Sequence, residues 1–164
     1  MSGLRPPVDY IERTRAQYDA LGYPPYQWVY NQTMPAFARI KKPLSHCRLG
    51  LAGSGGVYSS GQIAFHYKDD LSYREIDTNQ SVNSLRATHF AYDLTDARRD
   101  PNVVFPIDPL KRCVELGLLG NLSDTAYAFM GGIYSSRKVK ELLAPAIADR
   151  FVRDEVDVVL LVPV

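Results

Sequence analysis

The sequence is poor in residues that bind metals or form disulfides, and it has no long apolar run. Only two cysteines, Cys47 and Cys113, and three histidines occur in 164 residues. The cysteines form no metal-type or CxxC spacing, which predicts free thiols in a cytoplasmic chain. No apolar stretch reaches the roughly 20 residues needed to span a bilayer. The first ten residues, MSGLRPPVDY, lack the apolar core of a secretion signal. We therefore expect a cytoplasmic protein without a membrane partner.

The charge balance also argues against polyanionic partners. The formal net charge is +1, which gives no electrostatic case for nucleic acid or an anionic membrane. Hydrophobic residues make up 46% of the chain and charged residues 23%, as in ordinary globular domains. This length and composition predict one domain with a full hydrophobic core.

Strand-like and helix-like segments alternate along the chain and predict an α/β fold. The segments are, in order, a strand through Leu49 and Leu51, a strand-like piece at Val103–Phe105, a helix capped by Asp108 and closed by Gly117, a strand in TAYAF, a helix capped near Ser135 or Ser136 and kinked or restarted at Pro145, and a strand at Val158–Val162. Such alternation favours a mainly parallel sheet with flanking helices, Rossmann-like or flavodoxin-like. An additional helix, capped by Asp9 and ended by Gly22, precedes this pattern.

We divide the chain into residues 1–45, an N-terminal helix and extended connector packing on the body, and residues 46–164, the α/β domain. The unbroken apolar run at Val158–Val162 predicts a central strand buried on both faces. Loops at the carboxyl ends of parallel strands meet at one edge of the sheet, where ligands bind. Residues 63–96 are polar and aromatic, and we expect an irregular, lid-like excursion there.

The loop Gly53–Gly56 could bring backbone N–H groups close to an anion, but a tight turn at the end of a strand explains it as well. His89 and Asp93 are four residues apart and on a helix would form a His–carboxylate pair for acid–base work. His66, next to two aspartates, is more typical of a solvated loop. Asp100 could belong to an arginine-rich carboxylate site or simply stabilise a turn with Asn102, and we favour the turn.

Several blocks of the sequence resemble the selenoprotein B family of glycine, sarcosine, betaine and D-proline reductases. They are GGVYSSGQ, SYREI, THFAYDLTDARRDPNVVFPIDPLKRCVELGLLG, FMGGIY and VDVVLLVPV. Their order and spacing carry the resemblance, which extends from Leu49 to Val164. The family implies an α/β protein whose closing strand leads into a redox motif: a selenocysteine or cysteine, two residues, then a cysteine.

The resemblance also implies a reaction. The selenolate or thiolate attacks a carbon of a small amine or amino acid, and the C–N bond is cleaved with electrons from a thiol reductant. Family members work with a second, carbonyl-bearing subunit, so we expect that subunit or a homo-oligomer as partner. By position in the matching blocks, His89 and Asp93 are expected to act in acid–base chemistry or to contact the substrate ammonium. The residues expected to line the substrate site are Gly55, Gly56, Tyr92, Asp100, Gly131 and Gly132.

The redox motif itself is absent from the 164 residues, and neither Cys47 nor Cys113 matches it. In the family it begins at the position after Val164, and selenocysteine is encoded by UGA, which routine translation reads as a stop. We therefore hypothesise that the α/β domain is truncated at a misread selenocysteine codon, with no cofactor in this chain and the motif encoded downstream. Such a truncation would expose apolar surface and make the chain poorly soluble or dimeric.

Two other functions stay open. The chain could be an α/β module that binds a ligand or a subunit without chemistry of its own, which the glycine-rich strand ends suit equally well. A weaker alternative is a metal-dependent lyase or hydrolase that uses His66, His89 and Asp93, although three scattered histidines give no recognisable metal motif.

Overall fold

The computed structural model of the protein describes residues 8–36 and 38–164. Residues 1–7 and Phe37, which belong to the predicted segment 1–45, lie outside the described residues. The chain divides into two compact units, residues 1–37 and residues 38–164. Within the described ranges, no helix combines the length and the apolar character that crossing a membrane requires.

The first unit contains one helix and a small group of aromatic rings. Helix α1 spans Tyr10–Ala20. Its N-cap is Asp9, whose side chain accepts a hydrogen bond from the Glu12 N–H at 3.0 Å, and Gly22 follows its end with a left-handed φ of 68°. Both predicted ends are therefore confirmed. After the helix, the Tyr26 ring packs edge-on against Trp28 at a centroid distance of 4.6 Å.

The second unit contains seven strands and four short helices. The strands are β1 Arg48–Gly53, β2 Val57–Ser59, β3 Tyr73–Asp77, β4 Leu85–Ala87, β5 Asn121–Leu122, β6 Thr125–Phe129 and β7 Val158–Val162. The helices are α2 Thr95–Arg99, α3 Ile107–Glu115, α4 Ser136–Lys138 and α5 Ala144–Arg153, with a π-helical segment at Val139–Leu143 and 3₁₀ turns at Leu44–His46, Val82–Ser84 and Pro101–Val103.

Strand β1 is the centre of a mainly parallel sheet. It pairs in parallel with β7 on one side and with β5 and β6, which follow each other closely in the chain, on the other. Strand β3 pairs with β6 in the antiparallel direction, and β2 and β4 form a separate antiparallel pair. The predicted α/β class, a mainly parallel sheet with flanking helices, is confirmed.

The two faces of the sheet are covered by different helices. On one face, Leu51, Ile76 and Ala126 pack with Phe105 and with Ile107 at the start of α3. On the other face, Ala52 and Tyr127 pack with Leu143, Ile147 and Phe151 of the π-helical segment and α5. Alternate residues of β1 point to opposite faces because side chains alternate along a strand, so Leu51 and Ala52 belong to different clusters.

The closing strand β7 is at the edge of the sheet, not at its centre as predicted. Among the described residues it pairs only with β1, through Leu49–Gly53. Leu160 and Val162 pack against the α3-side cluster, whereas Leu161, on the α5 side, is 68% exposed. The prediction was wrong because an apolar run shows that a strand has two apolar faces, but not that both faces are covered.

Two other sequence predictions also need correction. The excursion at residues 63–96 is not purely irregular, since it contains β3, which extends the main sheet, and β4, which pairs with β2. The piece Val103–Phe105 is not a strand: Pro101–Val103 forms a 3₁₀ turn, and Phe105 is fully buried below it. Proline at the start of the turn suits helical φ and donates no ladder hydrogen bond.

The predicted helix ends are mostly confirmed. Ser135 caps the last helical region by accepting from the Lys138 N–H, and Gly117 follows α3 with a φ of 70°. Asp108, however, lies in the first turn of α3 and not at its cap. Its N–H is already satisfied by the side-chain oxygen of Asn102 at 3.0 Å. Pro145 lies just after the π-helical segment, where it restarts the helix.

Candidate functional site

The carboxyl ends of β1, β6 and β7 meet at Ser54. Its N–H donates to the Val162 carbonyl at 3.0 Å, and its carbonyl accepts from the Gly131 N–H at 2.9 Å. The Ser54 hydroxyl oxygen accepts from the Val164 N–H at 2.9 Å. The three strand ends that the sequence predicted to share one edge are therefore joined through one residue, which confirms that prediction.

The loop of residues 88–92 lies across this edge, and the glycines make its close approach possible. Gly56 has a φ of 67°, and a Cβ there would lie 1.9 Å from the Thr88 carbonyl oxygen. The Thr88 N–H donates to the Gly56 carbonyl at 3.0 Å. At Gly132 a Cβ would lie 2.2 Å from the Phe90 ring. We expected these glycines to line the substrate site, and in the structure this loop fills the space beside Gly56 and Gly132.

His89 is buried in this loop with only 9% of its surface exposed. Its Nδ1 accepts a hydrogen bond from the Ala91 N–H at 3.0 Å. Its Nε2 is enclosed and has no hydrogen-bond partner among the described residues. Burial lowers the pKa of His89 below its ordinary value, because the charged form loses hydration. The imidazole is therefore held in its neutral form.

Tyr92 ties the same loop to β1. Its hydroxyl donates to the Gly55 carbonyl at 2.8 Å, and its ring lies 4.8 Å from that of His89. Burial raises the pKa of Tyr92, and the nearby charge of Arg98 offsets part of this effect. Because the hydroxyl stays protonated and occupied, Tyr92 positions the loop.

Asp93 and Asp100 each stabilise a local turn. Asp93 Oδ1 accepts from the Thr95 N–H at 2.9 Å and from the Thr95 hydroxyl at 2.7 Å. Residues 88–93 are not helical, so the spacing that would pair Asp93 with His89 on one helix face does not apply. Asp100 Oδ1 accepts from the Asn102 N–H at 3.0 Å and caps the 3₁₀ turn. This is the turn that the sequence favoured over a carboxylate site.

The remaining histidines and cysteines lie outside this group. His66 is exposed in its loop, and Asp70 accepts from its backbone N–H at 2.8 Å, not from its ring. Both cysteines are free thiols, as predicted, and Cys47 is buried. The described part of the chain contains no group of three or more His, Cys, Asp or Glu side chains placed to hold a metal ion.

Two residues at this edge were not identified as candidates by the sequence analysis. Ser54, which joins the strand ends, and Phe90, which covers Gly132, were not among the candidates. A signal for Ser54 was present, since it is the one side chain capable of hydrogen bonding in a loop of glycines. Phe90 gave no signal, because contacts between an exposed aromatic side chain and a distant glycine depend on the fold.

A separate cleft lies at the opposite, amino-terminal ends of β1, β5 and β7. It encloses about 640 Å³ and is lined by Lys42, Ser45, His46, Cys47, Arg48, Gly120, Asn121, Glu155 and Asp157. Lys42 pairs with Asp157 at 2.7 Å, and Arg48 pairs with Asp124 at 3.0 Å. Since both cations are already ion-paired, with only Arg48 Nε lacking a hydrogen-bond partner among the described residues, the cleft is a weaker candidate than the carboxyl edge.

The fold and this edge define an α/β protein with a loop-covered candidate site at the carboxyl ends of its parallel strands, where open α/β sheets bind ligands. A family model described as glycine/sarcosine/betaine reductase selenoprotein B matches residues 26–164. The chain belongs to that family, and the resemblance found in its sequence is confirmed.

Two curated relatives give the family more detail. The D-proline reductase subunit gamma of Acetoanaerobium sticklandii is 32% identical over 127 residues, which are 77% of this chain and 52% of the relative. The glycine reductase complex component B subunit gamma of Symbiobacterium thermophilum is 29% identical over 153 residues, which are 84% of this chain and 34% of the relative. The chain thus spans about half the length of these relatives or less. No solved structure matches.

Proposed function

We propose that this chain is part of a subunit of a cytoplasmic reductase complex that binds a small amine or amino acid at the carboxyl edge of its sheet. Family membership supports this proposal, since the two relatives are named as subunits of D-proline and glycine reductases. The reaction would replace the C–N bond of the substrate by C–H and N–H. A thiol reductant would supply the two electrons and be oxidised to a disulfide.

The position of Val164 is the observation that carries the proposal. Its N–H is bound to the Ser54 hydroxyl oxygen at 2.9 Å, and its side chain lies 3.4 Å from the place of a Cβ on Gly55. A selenocysteine or cysteine motif that followed Val164 would begin beside the loop of residues 88–92. A low-pKa nucleophile and a resolving thiol would then stand next to the proposed substrate site.

The coding DNA downstream of the Val164 codon provides the first test. We expect an in-frame UGA or cysteine codon, then two codons and a cysteine codon. An unrelated downstream sequence would contradict the proposed redox role. The extended protein should be produced with its candidate partner subunit and assayed in single turnover against D-proline, glycine, sarcosine and betaine, with a dithiol as reductant.

The matched control is the extended protein with serine in place of the first residue of the motif. It should bind substrate but give no cleaved product, because a serine hydroxyl is a poor nucleophile at neutral pH. Equal turnover by both proteins would show that the motif is not the nucleophile.

A second candidate function is a non-catalytic binding module. The positions of the two cysteines favour this function for the 164-residue chain, because neither thiol lies at the proposed substrate site. Buried Cys47 lies at the amino-terminal cleft, and Cys113 lies in α3, away from Ser54. Binding of an amine without turnover by the extended protein and its partner would support this function over the reductase.

A further inference from the structure

The buried imidazole of His89 makes an incomplete set of hydrogen bonds. Native proteins rarely leave a buried polar atom without a partner, and such an atom often has a functional explanation. His89 is 9% exposed, and its Nε2 is fully enclosed without an acceptor among the described residues. The unpaired atom lies in the loop that crosses the carboxyl edge of the sheet.

The backbone determines which nitrogen of His89 carries the proton. The Ala91 N–H donates to Nδ1 at 3.0 Å, so Nδ1 must present its lone pair. A neutral imidazole then carries its proton on Nε2. Nε2 is therefore a hydrogen-bond donor and cannot accept a proton from a substrate ammonium group.

The two aromatic neighbours of His89 differ in how firmly they are held. Tyr92 is anchored by its hydroxyl to the Gly55 carbonyl at 2.8 Å. Phe90 has no polar anchor in its side chain, is 48% exposed and rests on Gly132. The ring planes of Phe90 and His89 are inclined by only 17°. Phe90 is thus the neighbour that can move without breaking a hydrogen bond.

We propose that His89 Nε2–H is a neutral hydrogen-bond donor for the carboxylate of a small amino-acid ligand, which reaches it when the Phe90 side chain moves aside. The identity of the ligand rests on the proposed function. In glycine, betaine and D-proline the carboxylate oxygens are the only acceptors, and a carboxylate is a strong acceptor. This assigns His89 a binding role in place of the acid–base role expected from the sequence.

Imidazole ¹⁵N spectra of the 164-residue protein test the donor directly. The free protein should show His89 with its proton on Nε2. D-proline should shift the His89 Nε2 and Nε2–H resonances, whereas pyrrolidine, the same ring without the carboxylate, should leave them unchanged. A proton on Nδ1, or equal shifts with both ligands, would overturn the proposal.

Substitutions separate the donor from the fold of the loop. His89→Gln places an amide N–H near the position of Nε2 and should retain most of the D-proline affinity. His89→Asn, whose shorter amide cannot reach that position, should weaken binding roughly 10- to 100-fold, as expected for a lost hydrogen bond to a charged group. Phe90→Ala should bind D-proline at least as tightly as the wild type. Equal affinities for the Gln and Asn variants would contradict the donor role.

The outcomes for the ligand site and for the reductase can be told apart. If D-proline, glycine and betaine all leave His89 unperturbed up to their solubility limits, the carboxylate site is wrong. If they shift His89 but the extended protein with its partner reduces none of them, the reductase proposal fails and the carboxylate site stands. Turnover of D-proline with His89 unperturbed would contradict the carboxylate site alone.

Discussion

At the scale of single residues, Gly56 allows the loop of residues 88–92 to lie on β1. Its φ of 67° lies in the left-handed region, and the Thr88 carbonyl occupies the place where a side chain would begin. Gly117 has nearly the same φ, 70°, but nothing lies within 4 Å of its Cβ position. A comparison of substitutions at Gly56 and Gly117 therefore separates the cost of backbone strain from the cost of a steric clash.

We expect Gly56→Ala to destabilise the protein much more than Gly117→Ala. The Gly117 variant should lose about 1 kcal/mol, the cost of a left-handed alanine. The Gly56 variant carries the same cost and must also displace Thr88, so its loss should reach about 3 kcal/mol or more. Urea unfolding of both variants measures the difference. Equal losses would show that the loop moves away from Gly56 at little cost.

The pH dependence of stability should report the burial of His89. Its folded-state pKa lies below its ordinary value of 6.5 because burial disfavours the charged form. The unfolded chain then binds a proton where the native chain does not, so stability falls as the pH drops through about 6.5 and levels off below the folded-state pKa. Urea unfolding at about pH 7.5 and about pH 5 measures this fall.

His89→Gln should make the fall between these two pH values smaller, since it removes the buried titrating group. His66→Gln, in an exposed loop, is the matched control for the loss of a histidine. A fall of unchanged size in His89→Gln would mean that burial of this imidazole does not contribute to the acid sensitivity.

At the scale of elements, the two edges of the sheet differ. Strand β3, which pairs only with β6 among the described residues, carries Arg74, Glu75 and Asp77, whereas β7, which pairs only with β1, is apolar throughout. Leu161 projects from β7 on the face of the sheet that packs against α5. Helix α5 covers β1 and β6 on this face, but Leu161 remains 68% exposed. Unpaired apolar edges are prone to associate with other chains.

The 164-residue protein should self-associate, and Leu161→Lys should reduce this association. A charge on an edge strand opposes pairing with another strand, and substitution of an exposed side chain should alter stability by about 0.5 kcal/mol or less. Sedimentation velocity over a range of protein concentrations provides the measurement. Val152→Lys is the control, because Val152 is 76% exposed but lies on α5.

A wild-type protein that stays monomeric over the whole concentration range would contradict this prediction. If Val152→Lys suppressed association as strongly as Leu161→Lys, the effect would be one of overall charge and not of the strand edge.

The elements that the sequence predicted correctly share a strong local pattern. β1 and β6 are apolar strands followed by glycines, and Ser135 and Gly117 mark helix ends by their own chemistry. β3 was missed because the sequence YREID places charged residues on a strand whose position depends on pairing with β6, far away in the chain. Propensity and periodicity carry no information about such a distant partner.

The candidate site was predicted less completely than the fold. The meeting of the strand ends follows from parallel topology, so the edge itself could be located from the sequence. The environment of His89 could not, because residues 88–93 are not helical. The spacing of His89 and Asp93 consequently pointed to a pair, whereas the structure gives Nδ1 the Ala91 N–H as its partner. In irregular segments, contacts are set by the surrounding fold.

At the scale of the whole molecule, the hydrophobic core formed by the described residues lies in the second unit. Both buried clusters are formed by residues between 49 and 162, whereas α1 buries none of its side chains. An isolated helix of 11 residues is marginal in water. The single tryptophan, Trp28, lies in the first unit, so its fluorescence is a probe placed in that unit.

We expect Trp28 fluorescence to change at a lower urea concentration than the far-UV circular dichroism of the sheet and its helices. The first unit has no buried cluster among its described residues, so little apolar burial opposes its unfolding. Non-coincident transitions would show that the chain does not unfold in a single step. The chain of residues 38–164 should retain the circular dichroism transition of the full protein. If both probes changed together and removal of residues 1–37 abolished that transition, the first unit would be required for the stability of the sheet.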